Sequence, residues 1–241
     1  PADTDTCPYD LGTRASRMTY ICGEAIRRAG AALAAAIRAE ASLELNAAPC
    51  ELQLEAGIVR RRDGVELMLS ELATRLIARG ASLPSATETY RATANPGSYA
   101  AHFAEVEVDT LTGRVRVTDY LAAHDIGRAI NPMLVEGQIH GGIQIGIGYA
   151  LYEDVAIDRT TGVMKGDSLG RYTLANAPEM PPMRIVLVED GEPTGPFGAK
   201  AVGEISTVPV AAAVVNAVNN ALGTELTDLP LMPERILAAL D

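Results

Sequence analysis

Tryptophan is absent from the 241 residues and aromatic side chains make up only 4% of them. The chain therefore has too few flat rings to build a stacking surface for nucleic-acid bases. Positive charge is also short: 20 Lys and Arg stand against 31 Asp and Glu, for a net charge of −11 and a pI near 4.8. That balance argues against nucleic acid and against an anionic membrane as partners. The three cysteines, Cys7, Cys22 and Cys50, are odd in number and far apart. They make neither a CxxC metal site nor an iron–sulfur run, and a reduced, cytoplasmic protein is the simplest expectation. Of the three histidines, His124 has no companion at ligand spacing; it reads as a structural or loop histidine, and no metal-ligating residue is expected. Also missing are a dinucleotide fingerprint, a signal peptide and an apolar span of transmembrane length. The apolar helices carry Arg27, Arg28 and Arg38, or Asn216, Asn219 and Asn220, and read as core helices. The first residue is Pro1 rather than Met, as expected of a chain whose start is missing or of a processed piece of something longer.

What is present suits a folded core. Hydrophobic residues make up 48% of a chain long enough for one large or two small domains. Helical spacing of Met18, Ile21, Cys22, Ile26, Leu33 and Ile37 predicts a helix over 13–41, with Thr13 or Ser16 as its cap. A strand over 51–61, a turn at 62–64 and a partner strand over 65–69 follow, then a helix over 70–80 opened by a capping serine. Residues 83–94 read as loop or edge strand. Alternation over 99–109 and 114–123 about a turn at 111–113 predicts a β-hairpin. A helix is expected over 133–151 despite five glycines at 137, 141, 142, 146 and 148, each costing roughly 1 kcal/mol against alanine. Close packing against a backbone or a cofactor would offset that cost, with helix–helix packing expected at Gly146 and Gly148. Further strand pairs over 152–174, a buried strand over 183–189 and a short helix over 234–240 complete the pattern. The fold class is α+β, mixed strands and helices in two lobes of about 1–95 and 96–241.

The chemistry concentrates in residues 194–223, TGPFGAKAVGEISTVPVAAAVVNAVNNALG. Gly195, Gly198 and Gly203 frame one lysine, Lys200, and one carboxylate, Glu204. An alanine-rich helix follows over 208–222, with Pro209 in its first turn and Gly223 closing it. From these residues alone Glu204 is either a carboxylate neutralising a helix dipole or a functional acid–base group. Likewise Ser16 and Arg17 are either a cap and a solvated charge or an anion site.

GAKAVGE followed by its proline-containing helix resembles the C-terminal signature of the molybdopterin-binding subunit of the xanthine dehydrogenase/aldehyde oxidase family. The early segment DTDTCPYDLGTRASRMTYICGEAIRRA and the GQxHGG pattern at 137–142 are similar to two further segments of that family, in the same order. The resemblance implies that Glu204 is the catalytic base beside the molybdenum. It implies that Ala15 abuts the metal, that Ser16, Arg17 and Thr13 hold the pterin and its phosphates, that Gln138 hydrogen-bonds the pterin, and that Lys200 belongs to the same cofactor-binding set. It further implies a molybdopterin-type molybdenum cofactor, in its plain or cytosine dinucleotide form, and oxidation of an N-heteroaromatic compound or an aldehyde with water as oxygen source. This chain would be the C-terminal portion of that molybdenum-binding domain. A second molybdenum-subunit polypeptide would supply the N-terminal part, with 2Fe–2S clusters on an iron–sulfur subunit and FAD on a flavin subunit. The alternative is a non-catalytic module for binding or assembling the cofactor that keeps the fold.

Overall fold

The computed structural model describes residues 3–5 and 7–240. These divide into two compact units, one formed by Ile21–Thr93 and the other by residues 3–20 together with 94–240. Residues 3–5 and 7–20 thus belong with the unit that contains the chain's second half, not with the segment they precede.

In the 21–93 unit, helix α1 (Gly23–Leu45) packs with a three-stranded antiparallel sheet of β1 (Leu52–Glu55), β2 (Ile58–Arg61) and β3 (Glu66–Met68), and with α2 (Leu69–Ala78). Its core is Ala41, Leu52, Val59, Leu67, Leu72 and Leu76. The strand expected over 51–61 is in fact a hairpin. Ala56 and Gly57 both take positive φ (48° and 80°), the pair of conformations that a two-residue hairpin turn needs. Ser70 is not the cap of α2, because Met68 holds that position. Residues 81–99 form neither helix nor strand. Near the start of α1, Glu24 accepts hydrogen bonds from Arg27 and Arg28, which hold its carboxyl down to about 2.

The helix expected over 13–41 starts later. Ala15 and Ser16 take left-handed φ (49° and 52°), and one π turn, Met18–Cys22, precedes the regular helix at Gly23. Local periodicity carries no record of the contacts, far away in sequence, that hold residues 13–17 out of a helix. Tyr20 pairs with Thr194 through their hydroxyls at 2.6 Å, and Ser16 reaches Glu204.

In the other unit, β4 (Ala100–Asp109) and β5 (Arg114–Asp125) form the expected hairpin, and β6 (Met183–Val188) lies parallel to β5. Their inner face, with Val115, Val117, Tyr120 and Ala122, packs against α3 (Pro132–Leu151) and α4 (Val210–Leu222). Ile139, Ile143 and Ile147 line one face of α3 at four-residue spacing, and Val210, Val214 and Val218 do the same on α4; all six are fully buried. Each such side chain contributes roughly 1.5–3 kcal/mol on burial, which outweighs the few tenths that valine costs a helix against alanine. A short helix, α5 (Pro233–Ala238), ends the chain.

Three expectations change here. β6 buries only alternate residues, with Val186 and Val188 nearly half exposed. The strand pairs expected over 152–174 reduce to a single bridge, Ile157 to Met164, because Val155, Ile157, Val163 and Leu169 find no core and stay exposed. Lastly, Glu204–Leu222 is by length and composition apolar enough to cross a membrane (19 residues, mean hydropathy 1.4). Its valine face is nonetheless buried against protein.

Candidate functional site

A cavity of about 700 Å³ opens between three segments of the 94–240 unit and its N-terminal loop. One wall is the face of α3 that carries Leu134, Gln138, Gly141 and Ile145, at intervals that keep all four on one side of a helix. The neighbouring face of the same helix carries Gly142 and Gly146 toward α4. A Cβ on Gly142 would lie 2.0 Å from Ser206 Oγ, and one on Gly146 would lie 2.3 Å from Val210 Cβ. These two glycines let α4 and the turn before it come close enough to aim Glu204 at the cavity. Gly146 therefore has the helix-packing role expected of it, whereas Gly148 faces the Glu153 carboxylate instead. By contrast, a Cβ on Gly137 or Gly141, which also line the cavity, would meet nothing within 4 Å.

Thr13, Ala15, Ser16, Gln138, Lys200 and Glu204 all line this cavity. Glu204 lies in a 3-10 turn, Glu204–Ser206, that leads into α4, and it is the only carboxylate among the described lining residues. Ser16 Oγ accepts the Glu204 N–H at 2.8 Å and donates to Glu204 Oε2 at 3.3 Å. The Gln138 side-chain amide has no protein partner among the described residues and is exposed. Lys200 has commitments of its own, donating to Asp125 Oδ2 at 2.6 Å and to the Gly97 carbonyl at 3.1 Å. The Asp125 hydrogen bond raises its ammonium pKa. Arg17 is not among the lining residues. Its Nη2 pairs with Asp10 at 3.3 Å, while its Nε is buried without a partner among the described residues.

Sequence reasoning missed two cationic residues of the lining, Arg14 and Arg128, neither of which has an ion-pair partner among the described residues. Both were visible as arginines inside the TRAS and HDIGRAINP segments, but nothing local distinguishes them from solvated charges. Also missed was a buried polar chain in the sheet. His124 Nε2 lies 2.8 Å from His102 Nε2, and His102 Nδ1 lies 3.0 Å from the Tyr120 hydroxyl. Burial, and then the neighbouring His124, lower His102 to about 4; burial alone lowers His124, while burial and then the neighbouring Tyr149 raise Tyr120. His140 and Gln144 line a separate groove, where Gln144 donates to the Ala175 carbonyl.

The lining suits a phosphate-bearing, planar, hydrogen-bonding ligand. It offers two guanidiniums free of carboxylates, an unpaired amide that donates and accepts, and open space over Gly137 and Gly141. Among the described residues no cluster of three or more His, Cys, Asp or Glu is placed to hold a metal ion.

A sheet backed by two helices, with a cavity at the helix turns that carries free guanidiniums, an unpaired amide and one carboxylate, suits a cofactor-binding domain. The model of the molybdopterin cofactor-binding domain matches residues 1–181, and the chain belongs to that family. It is 37% identical over 240 residues to the xanthine dehydrogenase molybdenum-binding subunit of Escherichia coli O157:H7, covering 97% of this chain and 32% of that protein. It is 33% identical to the 6-hydroxypseudooxynicotine dehydrogenase complex subunit gamma of Paenarthrobacter nicotinovorans, covering 98% and 31%. Among solved structures, quinoline 2-oxidoreductase from Pseudomonas putida 86 superposes with a TM-score of 0.85 at 32% identity, covering 98% of this chain and 31% of that one. The chain thus spans about a third of the length of these relatives.

Proposed function

We propose that this chain forms one wall of the cofactor site of a molybdenum hydroxylase, with Glu204 as the general base. The observation that carries the reading is the convergence of Ala15, Ser16, Gln138 and Glu204, from three separate segments, on one cavity. When bound, the cofactor would supply the two-electron oxidation that leaves a water-derived oxygen on an electrophilic carbon. The protein's share is binding, orientation and one proton. Gln138 would pair with the pterin edge through its free amide, and Arg14 and Arg128 would take its anionic groups beside Thr13, in place of Arg17, which does not line the cavity. Ala15 leaves room for a bulky centre, and Lys200 holds the glycine-rich loop to Asp125. Glu204 accepts a proton in a cavity that offers it no competing carboxylate.

The exposed apolar wall of Ile130, Leu134 and Ile145 suits a flat, weakly polar substrate such as an N-heteroaromatic compound, with aldehydes as the second class. A relative that acts on quinoline supports the first. The remaining polypeptide of the molybdenum subunit, an iron–sulfur subunit with 2Fe–2S clusters and a flavin subunit with FAD would complete the enzyme in the cytoplasm, and the cofactor would carry either the plain pterin or its cytosine dinucleotide form. Subunit designations among the relatives support an assembly of this kind.

Glu204→Gln tests the reading. Glutamine keeps the shape and cannot take the proton, so the assembled complex should retain its molybdenum and lose turnover by at least about 10²-fold. A fully metallated Glu204→Gln complex within a few-fold of the parent rate would leave Glu204 a helix-dipole partner and favour the non-catalytic, cofactor-carrying alternative.

A further inference from the structure

The Ser16 hydroxyl is already engaged. Accepting the Glu204 N–H at 2.8 Å and donating to Glu204 Oε2 at 3.3 Å uses its only proton and one lone pair. Both bonds go to one residue, 188 positions away in sequence. Two backbone features hold the hydroxyl there. Ala15 and Ser16 are in the left-handed region, with φ of 49° and 52°, a conformation that costs non-glycine residues on the order of 1 kcal/mol and persists only where the surroundings demand it. Gly203 leaves just enough space on the other side, since a Cβ there would lie 2.7 Å from Ser16 Oγ. Glu204 lines the cavity, and its Oε1 has no partner among the described residues.

We propose that Ser16 is a positioning residue for Glu204. It clamps the backbone and one carboxylate oxygen so that the other oxygen faces the cavity as the proton acceptor. This inference rests on the reading of Glu204 as base, and it reassigns Ser16 from holding the cofactor to holding the residue that works on it.

Ser16→Gly is the informative variant, because glycine accepts a left-handed φ without strain and takes away the hydroxymethyl group that carries both hydrogen bonds. In the assembled complex, hydrogen exchange read by mass spectrometry over residues 203–207 should speed up by about tenfold or more, as expected when a hydrogen bond to a charged group is lost. Exchange around Arg17, whose N–H bonds the Arg14 carbonyl, should not change. Molybdenum content should stay at the parent value, with kcat falling about tenfold and KM little altered. Gly203→Ala, whose methyl displaces the hydroxyl while Ser16 and Glu204 themselves are left unchanged, should reproduce this signature. Unchanged exchange over 203–207 in both variants would overturn the clamp, and so would molybdenum content falling in step with the rate, which would mark Ser16 as a cofactor contact. Because exchange is read without turnover, failure of the clamp is distinguishable from failure of the base, which Glu204→Gln decides separately.

Discussion

At the scale of single residues, the chemistry-bearing side chains divide by whether they are left free. The Gln138, Arg14 and Arg128 side chains line the cavity with no partner among the described residues, whereas Lys200 and Ser16 are engaged by Asp125 and Glu204. Motif spacing singles out candidate residues in the sequence, but not which of them are already spent, because Asp125 and Glu204 are distant in sequence from the residues they occupy. The same blindness hides the His102–His124 pair: two histidines 22 positions apart become neighbours only through strand register. That pair has a consequence for stability. His102 sits near 4 in the fold against an ordinary 6.5, so between those values the unfolded chain binds the extra proton. Stability should therefore fall as pH drops from about 6.5 to 4 and level off below, by about 1–2 kcal/mol once the partly solvated ring is allowed for. Urea midpoints at pH 7 and pH 4.5, compared between the parent and His102→Gln, check this. An equal loss in both proteins would mean that other groups carry the acid sensitivity.

At the scale of elements, period and turn chemistry located most of the framework. The 100–125 hairpin, α3, α4 with Gly223 as its left-handed end (φ 68°), and the short terminal helix all stand where spacing put them. The misses share one cause. A strand over 51–61, a helix from 13 and strand pairs over 152–174 were read from local hydrophobic pattern, while the outcome depended on a two-residue turn, a distant hydroxyl and the absence of a core to bury them. Helix α3 offers the clearest test, because its glycines serve two different ends. Gly146→Ala should destabilise by about 1–3 kcal/mol, because the overlap with Val210 exceeds the roughly 1 kcal/mol gained in helix propensity. Gly137→Ala and Gly141→Ala meet nothing, so each should stabilise by up to about 1 kcal/mol. Each should nevertheless lower molybdenum content in the complex, because the new methyl stands in the space left for the pterin. Thermal melts paired with metal analysis separate the two effects. Gly141→Ala with full molybdenum would show that the open space is not part of the cradle.

At the scale of the whole molecule, the site looks unfinished in a physically specific way. Ligand sites that hold small molecules firmly bury most of the ligand's surface, yet this cavity is open and its rim carries Ile130, Leu134 and Ile145, each more than half exposed. Apolar side chains clustered at a cavity mouth are costly to leave in water and usually mark a surface that something else covers. The relatives are about three times as long as this chain, and the length they carry beyond the matched third is the candidate cover. The expectation is that this chain, expressed alone, purifies with negligible molybdenum. Coexpression with the polypeptide carrying the remainder of the subunit should restore the metal and protect the α3 face over residues 134–145 from hydrogen exchange. Two readouts are needed because metal alone could fail to appear for want of cofactor supply, whereas protection of α3 reports the covering surface directly. Stoichiometric molybdenum on the isolated chain would mean that the cavity is complete as it stands. Coexpression that restores metal while leaving α3 unprotected would place the cover elsewhere on the chain.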